Sequence, residues 1–473
     1  MLVMPNKVQH SGQKVLGVFT LAMINVAAIA SLKNFPVMAE VGIALVFFYF
    51  VAAIVFFIPT ALVSAELATG WPSTGGIYTW VKQGLGGRWG FVAIWLQWIE
   101  NVIWYPAMLA FVAATVSYLF APELAGNKYF ILMTILVVYW TCTAINFLGM
   151  EASGFISSVG AIVGTIIPSI IIILLTIMWI MSGKPIHISF NLHAFIPQMR
   201  HIDDFVFLVG VLLALCGMEM SAVHANEVKN PQYDYPRAIF LSTVIILVLS
   251  ILGSLAIAAV VPRVQISLVA GVMQAFSAFF EADHAIWLTP ILAIMIAIGA
   301  VAMVSTWIVG PSKGLLQTAR DGDIPPFFQH INKNNMPVTI MLVQGLFVTI
   351  LAFAFLLMPT VSSSYWILSV LTAQLYLLMY LLMFITGIRL RYLQKHIKRA
   401  YSIPGGKYVG MWIVAGCGSL AAFSGFILGF FPPSQLPTGN IWFYEGFLGL
   451  GTIIMLLLPL LIYSQRRKSW QLK

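Results

Sequence analysis

Residues 205–231 have the sequence FVFLVGVLLALCGMEMSAVHANEVKNP. Positions 205–218 carry no charge and are almost all apolar, as in a membrane helix. A helix needs about 20 apolar residues to cross roughly 30 Å of hydrocarbon, and this run ends sooner, at Cys216, Gly217 and Met218. The polar residues that follow are Glu219, Ser221, His224, Asn226 and Glu227.

A glycine next to a carboxylate at this depth predicts an interrupted helix. Glycine in a helix costs about 1 kcal/mol relative to alanine, and a carboxylate at the bilayer centre costs roughly 2.5–3.5 kcal/mol. We therefore predict two half-helices that meet near 216–219 at a water-accessible point, the arrangement that forms the midplane site of many secondary transporters. The alternative is a helix that simply ends early at a loop.

The composition of the whole chain predicts a membrane protein. Of its 473 residues, 60% are hydrophobic and 8% are charged, whereas soluble chains are about 25% charged. We predict an all-α polytopic membrane protein with 12 transmembrane helices, one for each long apolar run. The runs lie at 15–39, 41–65, 89–119, 129–149, 155–181, 205–228, 238–262, 286–311, 338–357, 364–388, 408–431 and 443–464.

The first run has an irregularity of its own. Residues 26–31 are mostly small, and Lys33, Asn34 and Pro36 follow them. This pattern predicts a second broken helix. The alternative is a continuous helix whose Lys33 side chain extends toward the membrane surface.

The two interrupted runs occupy matching places in successive blocks of five helices. Run one begins the block 15–181, and run six begins the block 205–388. Matched interruptions are typical of an inverted repeat. We therefore predict a five-plus-five inverted repeat, followed by two further helices in 408–464 and a short cytoplasmic tail at 465–473.

The basic residues indicate the topology. The net charge is +9, with 24 Lys and Arg against 15 Asp and Glu. Because Lys and Arg next to membrane helices stay in the cytoplasm, both termini are predicted to be cytoplasmic. The charge thus points to a lipid bilayer and not to nucleic acid. With the spans placed as above, the basic residues that do not fall on the cytoplasmic side are Lys33, Lys128, Lys184, Arg200 and Arg263.

Ionisable and aromatic side chains within the spans are the candidate functional residues. Glu100, in the third run, should face a polar interior; pairing with another span and contact with a substrate are both open. Tyr376 and Tyr380 share one face of the tenth helix, where they either line a cavity or pack in the core. The cysteines lie singly in apolar surroundings, so that no metal and no cofactor is predicted. Nothing in the sequence indicates the oligomeric state.

Four motifs occur in a distinctive order along the chain. They are FFIPTALVSAELATGWPSTGGIYTWV at 56–81, GMEMSAVHANEVKNPQYDYPRA at 217–238, STWIVGPSKG at 305–314 and IPGGK at 403–407. Together they resemble the amino acid–polyamine–organocation superfamily, and most closely its bacterial glutamate:γ-aminobutyrate antiporter branch. The resemblance extends from about Leu16 to Tyr463.

This resemblance implies alternating access, with an amino acid held between the broken first and sixth helices. Unpaired N–H groups at half-helix N-termini suit its carboxylate, and freed carbonyls suit its ammonium. The candidate substrate-binding residues are Ala28, Ile29, Ala30 and Ser31 in the first helix, Cys216, Gly217, Met218 and Glu219 in the sixth, and Trp307, Tyr376 and Tyr380.

The chain also departs from the antiporter branch. Where those proteins have a second carboxylate just before the tryptophan of the eighth helix, this chain has Met303, and the first helix carries Lys33. We also expect it to lack the basic, histidine-rich C-terminal extension with which they close the cytoplasmic path. The resemblance therefore supports the fold and the general activity more than the substrate pair.

Two functions follow as hypotheses. The first is an antiporter in the bacterial inner membrane that exchanges an amino acid, glutamate-like or neutral, for a related amino acid or its decarboxylation product. The alternative is a proton-coupled amino acid symporter in which Glu219 or Glu100 carries the proton. A nutrient sensor on a transporter fold is less well supported, because no soluble signalling domain is evident. A membrane enzyme is not predicted, since no nucleophile–base or metal constellation is present.

Overall fold

The computed structural model describes residues 17–73, 75–149, 160, 162–188, 192–197, 205–221, 228–433, 437 and 439–471. His224, Asn226 and Glu227, from the polar segment after the sixth run, lie outside the described residues. Apart from short 3-10 turns and a four-residue helix at Leu192–Phe195, the helices in chain order are α1 (Val18–Ile29), α2 (Phe35–Ala39), α3 (Gly42–Gly70), α4 (Ile77–Leu85), α5 (Gly87–Ser117), α6 (Lys128–Asn146), α7 (Ile162–Met181), α8 (Leu208–Ala214), α9 (Met218–Ser221), α10 (Pro231–Val260), α11 (Gly271–Ala282), α12 (Thr289–Arg320), α13 (Val338–Leu357), α14 (Val361–Leu393), α15 (Val409–Leu428) and α16 (Ile441–Ser464).

Within these described residues the protein is all-helical and multi-pass. Ten helices are long and apolar enough to cross a membrane, and α1 with α2 makes an eleventh span if the bent pair is counted as one. Helices α5 and α14 are the most deeply buried, whereas α15 and α16 expose most of their apolar surface. A side chain exposed to hydrocarbon loses nothing by being apolar, so α15 and α16 form part of the lipid-facing side of the bundle.

The first span is broken, as predicted. Helix α1 ends at Ile29, Ala30 and Ser31 are extended, and a 3-10 turn at Leu32–Asn34 leads into α2 at an angle of 48°. Pro36 lies in the first turn of α2, where its missing N–H leaves no hydrogen bond unmade. The alternative of one continuous helix is therefore wrong.

The sixth run is interrupted at the predicted place. Helix α8 ends at Ala214, and the chain becomes helical again only at Met218. Between them, Gly217 has φ +117°, a conformation that glycine adopts without strain and that a residue with a Cβ rarely adopts. Since the helix resumes after Gly217, the alternative of a helix that merely ends at a loop is not what the described residues show.

The two breaks lie against each other. A Cβ built on Gly217 would lie 3.4 Å from Cγ1 of Ile29, and one built on Gly210 of α8 would lie 2.9 Å from Cγ1 of Val37 in α2. Helix α1 also packs against α9. The fold thus brings together two stretches of irregular backbone inside the bundle, where side chains and cavities satisfy backbone groups that lipid could not.

Candidate functional site

A small cavity of about 50 Å³ lies beside the two breaks. We call it the central cavity. Seven of the candidate residues line it: Ala28, Ile29 and Ser31 from the first break, Cys216 from the second, and Glu100, Trp307 and Tyr376 from α5, α12 and α14. Glu100 is buried and faces this interior cavity instead of lipid. Residues more than 300 positions apart in the sequence are therefore brought to one place.

Glu219 is held by a set of hydrogen bonds beside this cavity. Its carboxylate accepts hydrogen bonds from the hydroxyls of Tyr376 and Tyr380 and from Nε2 of Gln97, the last at 3.1 Å. The two tyrosine rings stack, with centroids 4.9 Å apart. The prediction that these tyrosines share one helical face is confirmed, and their hydroxyls meet the carboxylate of the broken helix.

Tyr380 contacts the break itself. The N–H of Gly217 donates a hydrogen bond of 2.8 Å to the Tyr380 hydroxyl, which in turn donates to Glu219. One of the amide groups expected to face a substrate carboxylate is thus bonded to a side chain. A single tyrosine joins α14 both to the unwound backbone and to the first residues of α9.

A second, larger cavity of about 440 Å³ begins at Glu219 and Met220. It extends along α12 to Arg320 and reaches Gly75 and Gly76, just before α4. Because Cys216 lines the central cavity and Glu219 lines the larger one, the second break lies at the boundary between them. We call this larger space the vestibule.

Four of the predicted residues line neither cavity: Tyr380, which bonds Glu219 and Gly217, and three residues of the breaks. Ala30, Gly217 and Met218 are part of the two breaks, and Ala30 and Met218 are buried there. Ala30 donates its N–H to the carbonyl of Val26 and so completes the last turn of α1. These positions shape the backbone of the site.

Lys33 also lines the central cavity, although it was not among the predicted site residues. Instead of extending toward the membrane surface, its side chain is 1% exposed and lines the cavity. Its Nζ lies 5.4 Å from the ring centroid of Trp104 and 5.0 Å from that of Tyr365. No described residue accepts a hydrogen bond from it.

The other lining residues that the interpretation did not select are Asn34, Asn101, Trp104, Leu213 and Met303. Asn101 donates its side-chain amide to the carboxylate of Glu100 and to the carbonyl of Gln97. A sequence signal did exist for Lys33, because an ionisable residue inside a membrane span is a functional candidate by default. For Leu213 and Met303 no such signal exists, since they look like any apolar residue of a span.

A family model for amino acid permeases matches residues 16–456. The chain belongs to the amino acid permease family. This permease is therefore a multi-pass amino acid transporter of a bacterial type, and the resemblance inferred from its four motifs is confirmed.

Three relatives of this permease differ in their sequence identity to it and in how specifically their names describe a substrate. It is 47% identical over 450 residues to an uncharacterized transporter of Legionella pneumophila, covering 95% of the chain and 96% of that protein. It is 33% identical over 462 residues to a glutamate/gamma-aminobutyrate antiporter of Lactococcus lactis subsp. lactis, covering 96% of the chain and 92% of the antiporter. A probable agmatine/putrescine antiporter of the same bacterium is 21% identical, with 84% of each protein covered.

Proposed function

We propose that this permease is an obligatory exchanger of the bacterial inner membrane. It takes up an amino acid, glutamate-like or neutral, and releases a related amino acid or its decarboxylation product. The similarity to a glutamate/gamma-aminobutyrate antiporter over almost the whole chain supports antiport. The architecture that goes with this proposal is 12 transmembrane helices, with inverted repeats at 15–181 and 205–388 and two added helices in 408–464.

The proposal is carried by the hydrogen bonds of Glu219. This carboxylate lies at the boundary between the central cavity and the vestibule, and it ties α9 to Tyr376, Tyr380 and Gln97. Movement of α9 relative to α5 and α14 must break or exchange these bonds. A substrate bound at the breaks supplies replacement contacts, whereas an empty carrier does not, and this difference favours exchange over free reorientation.

The substrate in this proposal binds the backbone of both breaks, with Ala28–Ser31 on one side and Cys216–Glu219 on the other. Trp307 and Tyr376 close the central cavity around it. With both termini in the cytoplasm, the vestibule is the cytoplasmic path, because Lys313 and Arg320 in its lining then lie on the side to which basic residues are assigned.

The experiment is transport by the purified protein reconstituted into liposomes. Uptake of radiolabelled glutamate is expected when the vesicles contain glutamate or γ-aminobutyrate, and not when they contain buffer alone. A counterflow screen of the amino acids and their amine products then identifies the exchange pair. Equal uptake into loaded and empty vesicles would refute obligatory exchange.

Proton-coupled symport is the second candidate, favoured by two buried carboxyl groups at the cavities. Neither Glu100 nor Glu219 forms an ion pair with any described residue. Either group could therefore carry a proton with a substrate. Accumulation in empty vesicles driven by an inward proton gradient would support symport, and indifference to the gradient would exclude it.

The role of Glu219 has its own test. Glu219→Gln replaces one acceptor oxygen with an NH₂ group that cannot accept the hydrogen bonds now made there. Exchange is expected to fall at least about tenfold, since hydrogen bonds to a charged group contribute about 1.5–3 kcal/mol. Glu123→Gln, at an exposed position, is the control. Exchange by Glu219→Gln at the wild-type rate and with the wild-type pH response would remove Glu219 from the mechanism.

A further inference from the structure

Lys33 is a buried lysine whose hydrogen-bond donors are not used by any described residue. Its side chain is 1% exposed, and its Nζ has no acceptor among the described residues. An ammonium group has three donors, and a charge that is buried without a partner is strongly unfavourable. Packing alone therefore does not explain a lysine at this helix break, because burying its ammonium without a partner costs free energy.

The backbone around Lys33 is fixed. The Tyr365 hydroxyl donates a hydrogen bond of 3.1 Å to the Lys33 carbonyl. The residue lies in the 3-10 turn between α1 and α2, and Phe35, two residues later, is buried in the core. Because its main chain is held on both sides of the break, the side chain has a defined place in the central cavity.

Two aromatic rings surround the charge. Trp104 and Tyr365 each present a ring within 5.5 Å of Nζ, a distance at which the electron-rich face attracts a cation. Ring faces stabilise the charged form but accept no conventional hydrogen bond. The ammonium therefore stays available to an anionic oxygen that enters the cavity.

The acidic residue that lines the same cavity is not bonded to the Lys33 ammonium. Glu100 also lines the central cavity, but it lies beyond ion-pair distance of Lys33 and accepts a hydrogen bond from Asn101. Glu219, the other buried carboxylate, is bound by two tyrosines and a glutamine. Among the described residues, Lys33 is the only basic one in the lining of the central cavity.

We infer that Lys33 determines the specificity of the central cavity by binding the side-chain carboxylate of an acidic amino acid. The inference rests on the proposed function and narrows it, from an amino acid that is glutamate-like or neutral to one with a second carboxylate. An ammonium that pairs with a carboxylate in a buried site makes a strong, charge-assisted hydrogen bond. An uncharged amide in the same place leaves part of the lysine unsatisfied, so the site discriminates between two substrates of the same shape.

The test compares glutamate with glutamine, which has the same shape and no side-chain charge. Homo-exchange of each amino acid is measured in liposomes for the wild type, Lys33→Met, Lys33→Arg and Lys128→Met. The wild type is expected to prefer glutamate at least about tenfold. Lys33→Met should lose that preference by a similar factor and still exchange glutamine, whereas Lys33→Arg should keep most of it.

Lys128→Met is the matched control. It also removes a lysine, but one whose Nζ donates to the carbonyl of Met358 and which lines no part of the central cavity. The glutamate preference of this variant should equal that of the wild type. An equal loss of preference in both variants would overturn the inference, because it would show a general effect of removing positive charge.

Three further outcomes would also overturn it. Lys33→Met could retain the full glutamate preference. It could lose glutamate and glutamine exchange in equal proportion, which would place Lys33 on the common α-carboxylate. It could be less stable than the wild type and be rescued by Glu100→Gln, which would make Lys33 a counter-ion to Glu100.

A measurement of ligand binding tests the role of Lys33 independently of the exchange mechanism. Ligands that bind the folded state raise the melting temperature, so thermal unfolding in detergent measures affinity without transport. Glutamate should raise the melting temperature of the wild type more than glutamine does, and this difference should vanish in Lys33→Met. If wild-type vesicles show no exchange but this pattern holds, the exchange proposal fails and the role of Lys33 stands; if the pattern is absent, the role of Lys33 fails.

Discussion

Two groups of buried charges in this protein differ in how they are paired. The first, which we call the Glu66 cluster, consists of Glu66, Arg391 and Arg399. Glu66 accepts from Nε and Nη2 of Arg391 at 2.6 and 2.5 Å, and Arg399 lies 3.4 Å away. The second group is Lys33 and Glu100 in the central cavity, which do not bond to each other.

The Glu66 cluster also binds the backbone of the loop between α14 and α15. Glu66 accepts from the N–H of Ile403, and Arg391 donates to the carbonyls of Ile403, Gly406 and Lys407. A buried charge with that many partners fastens α3, α14 and the loop together. The comparison teaches that a buried charge with several hydrogen-bond partners, as Glu66 and Arg391 have, is structural, whereas Lys33, which lines a cavity and whose Nζ has no acceptor among the described residues, is available to a ligand.

The largest effect is expected from Glu66→Ala. The substitution leaves Arg391 buried without its counter-ion, and breaking a buried pair from one side costs about 3–5 kcal/mol. The free energy of unfolding should fall by about that amount, with a large drop in the melting temperature. Thermal unfolding of the detergent-solubilised protein, followed by tryptophan fluorescence, measures it.

Glu123→Ala is the control for this change, because Glu123 is an exposed carboxylate with no ion pair among the described residues. Its melting temperature should match the wild type. Lys33→Met should not lower it either, because relief from burying an amine without a hydrogen-bond acceptor among the described residues offsets the lost contacts with Trp104 and Tyr365. Equal destabilisation by Glu66→Ala and Lys33→Met would abolish the distinction between the two groups of charges.

The sequence was sufficient to predict the interruptions, because their causes are local. Gly217 next to Glu219, and Pro36 shortly after a run of small residues, disfavour a continuous helix whatever surrounds them. The contacts of the breaks could not be predicted in this way. That Tyr380 bonds the Gly217 amide depends on how α14 packs against α8 and α9, and nothing in the spacing of 163 residues indicates it.

The burial of Lys33 in the central cavity could not be predicted from the sequence either. A lysine near the end of an apolar run normally places its charge at the membrane surface, whereas Lys33 lies in the 3-10 turn of the break, is buried and lines the central cavity. Two of the motifs that carry the family resemblance are in contact in the fold. Glu66 of the first motif and Ile403–Lys407 of the fourth meet at Arg391.

The second-largest effect on stability is expected for the two tyrosines that donate hydrogen bonds to Glu219, and it should differ between them. Tyr380→Phe removes a hydrogen bond to the carboxylate and leaves the Gly217 N–H without its acceptor. We expect a loss of about 2–3 kcal/mol in the free energy of unfolding. Tyr376→Phe removes only the bond to Glu219 and should cost about 1–2 kcal/mol.

Thermal unfolding of the two variants, together with their exchange rates in liposomes, measures this difference. Tyr49→Phe is a control, because Tyr49 is buried but contacts neither Glu219 nor the second break. A larger loss for Tyr376→Phe than for Tyr380→Phe would show that the break does not depend on the Tyr380 hydroxyl.

The smallest effect is expected at the ion pair between Lys82 and Asp321, just beyond α12. Their side chains are 42% and 28% exposed, and Nζ lies 2.7 Å from Oδ2. Burial raises the pKa of Asp321, but hydrogen bonds from Lys82 and Tyr78 outweigh it, so that the pKa lies below its ordinary value of 3.8. An exposed pair of this kind contributes about 1 kcal/mol or less.

A lowered carboxyl pKa fixes the sign of the pH dependence. The stabilisation is fully present above pH 3.8 and is lost as the pH falls through the lower pKa of the folded state. Asp321→Asn should therefore be less stable than the wild type by at most about 1 kcal/mol at pH 7, and the difference should shrink to nothing well below pH 3.8. Thermal unfolding from pH 7 to pH 3 tests this, with the exposed Glu281→Gln as control. A deficit as large as that of Glu66→Ala would contradict the assignment, because a half-exposed pair would then stabilise the fold as strongly as a buried one.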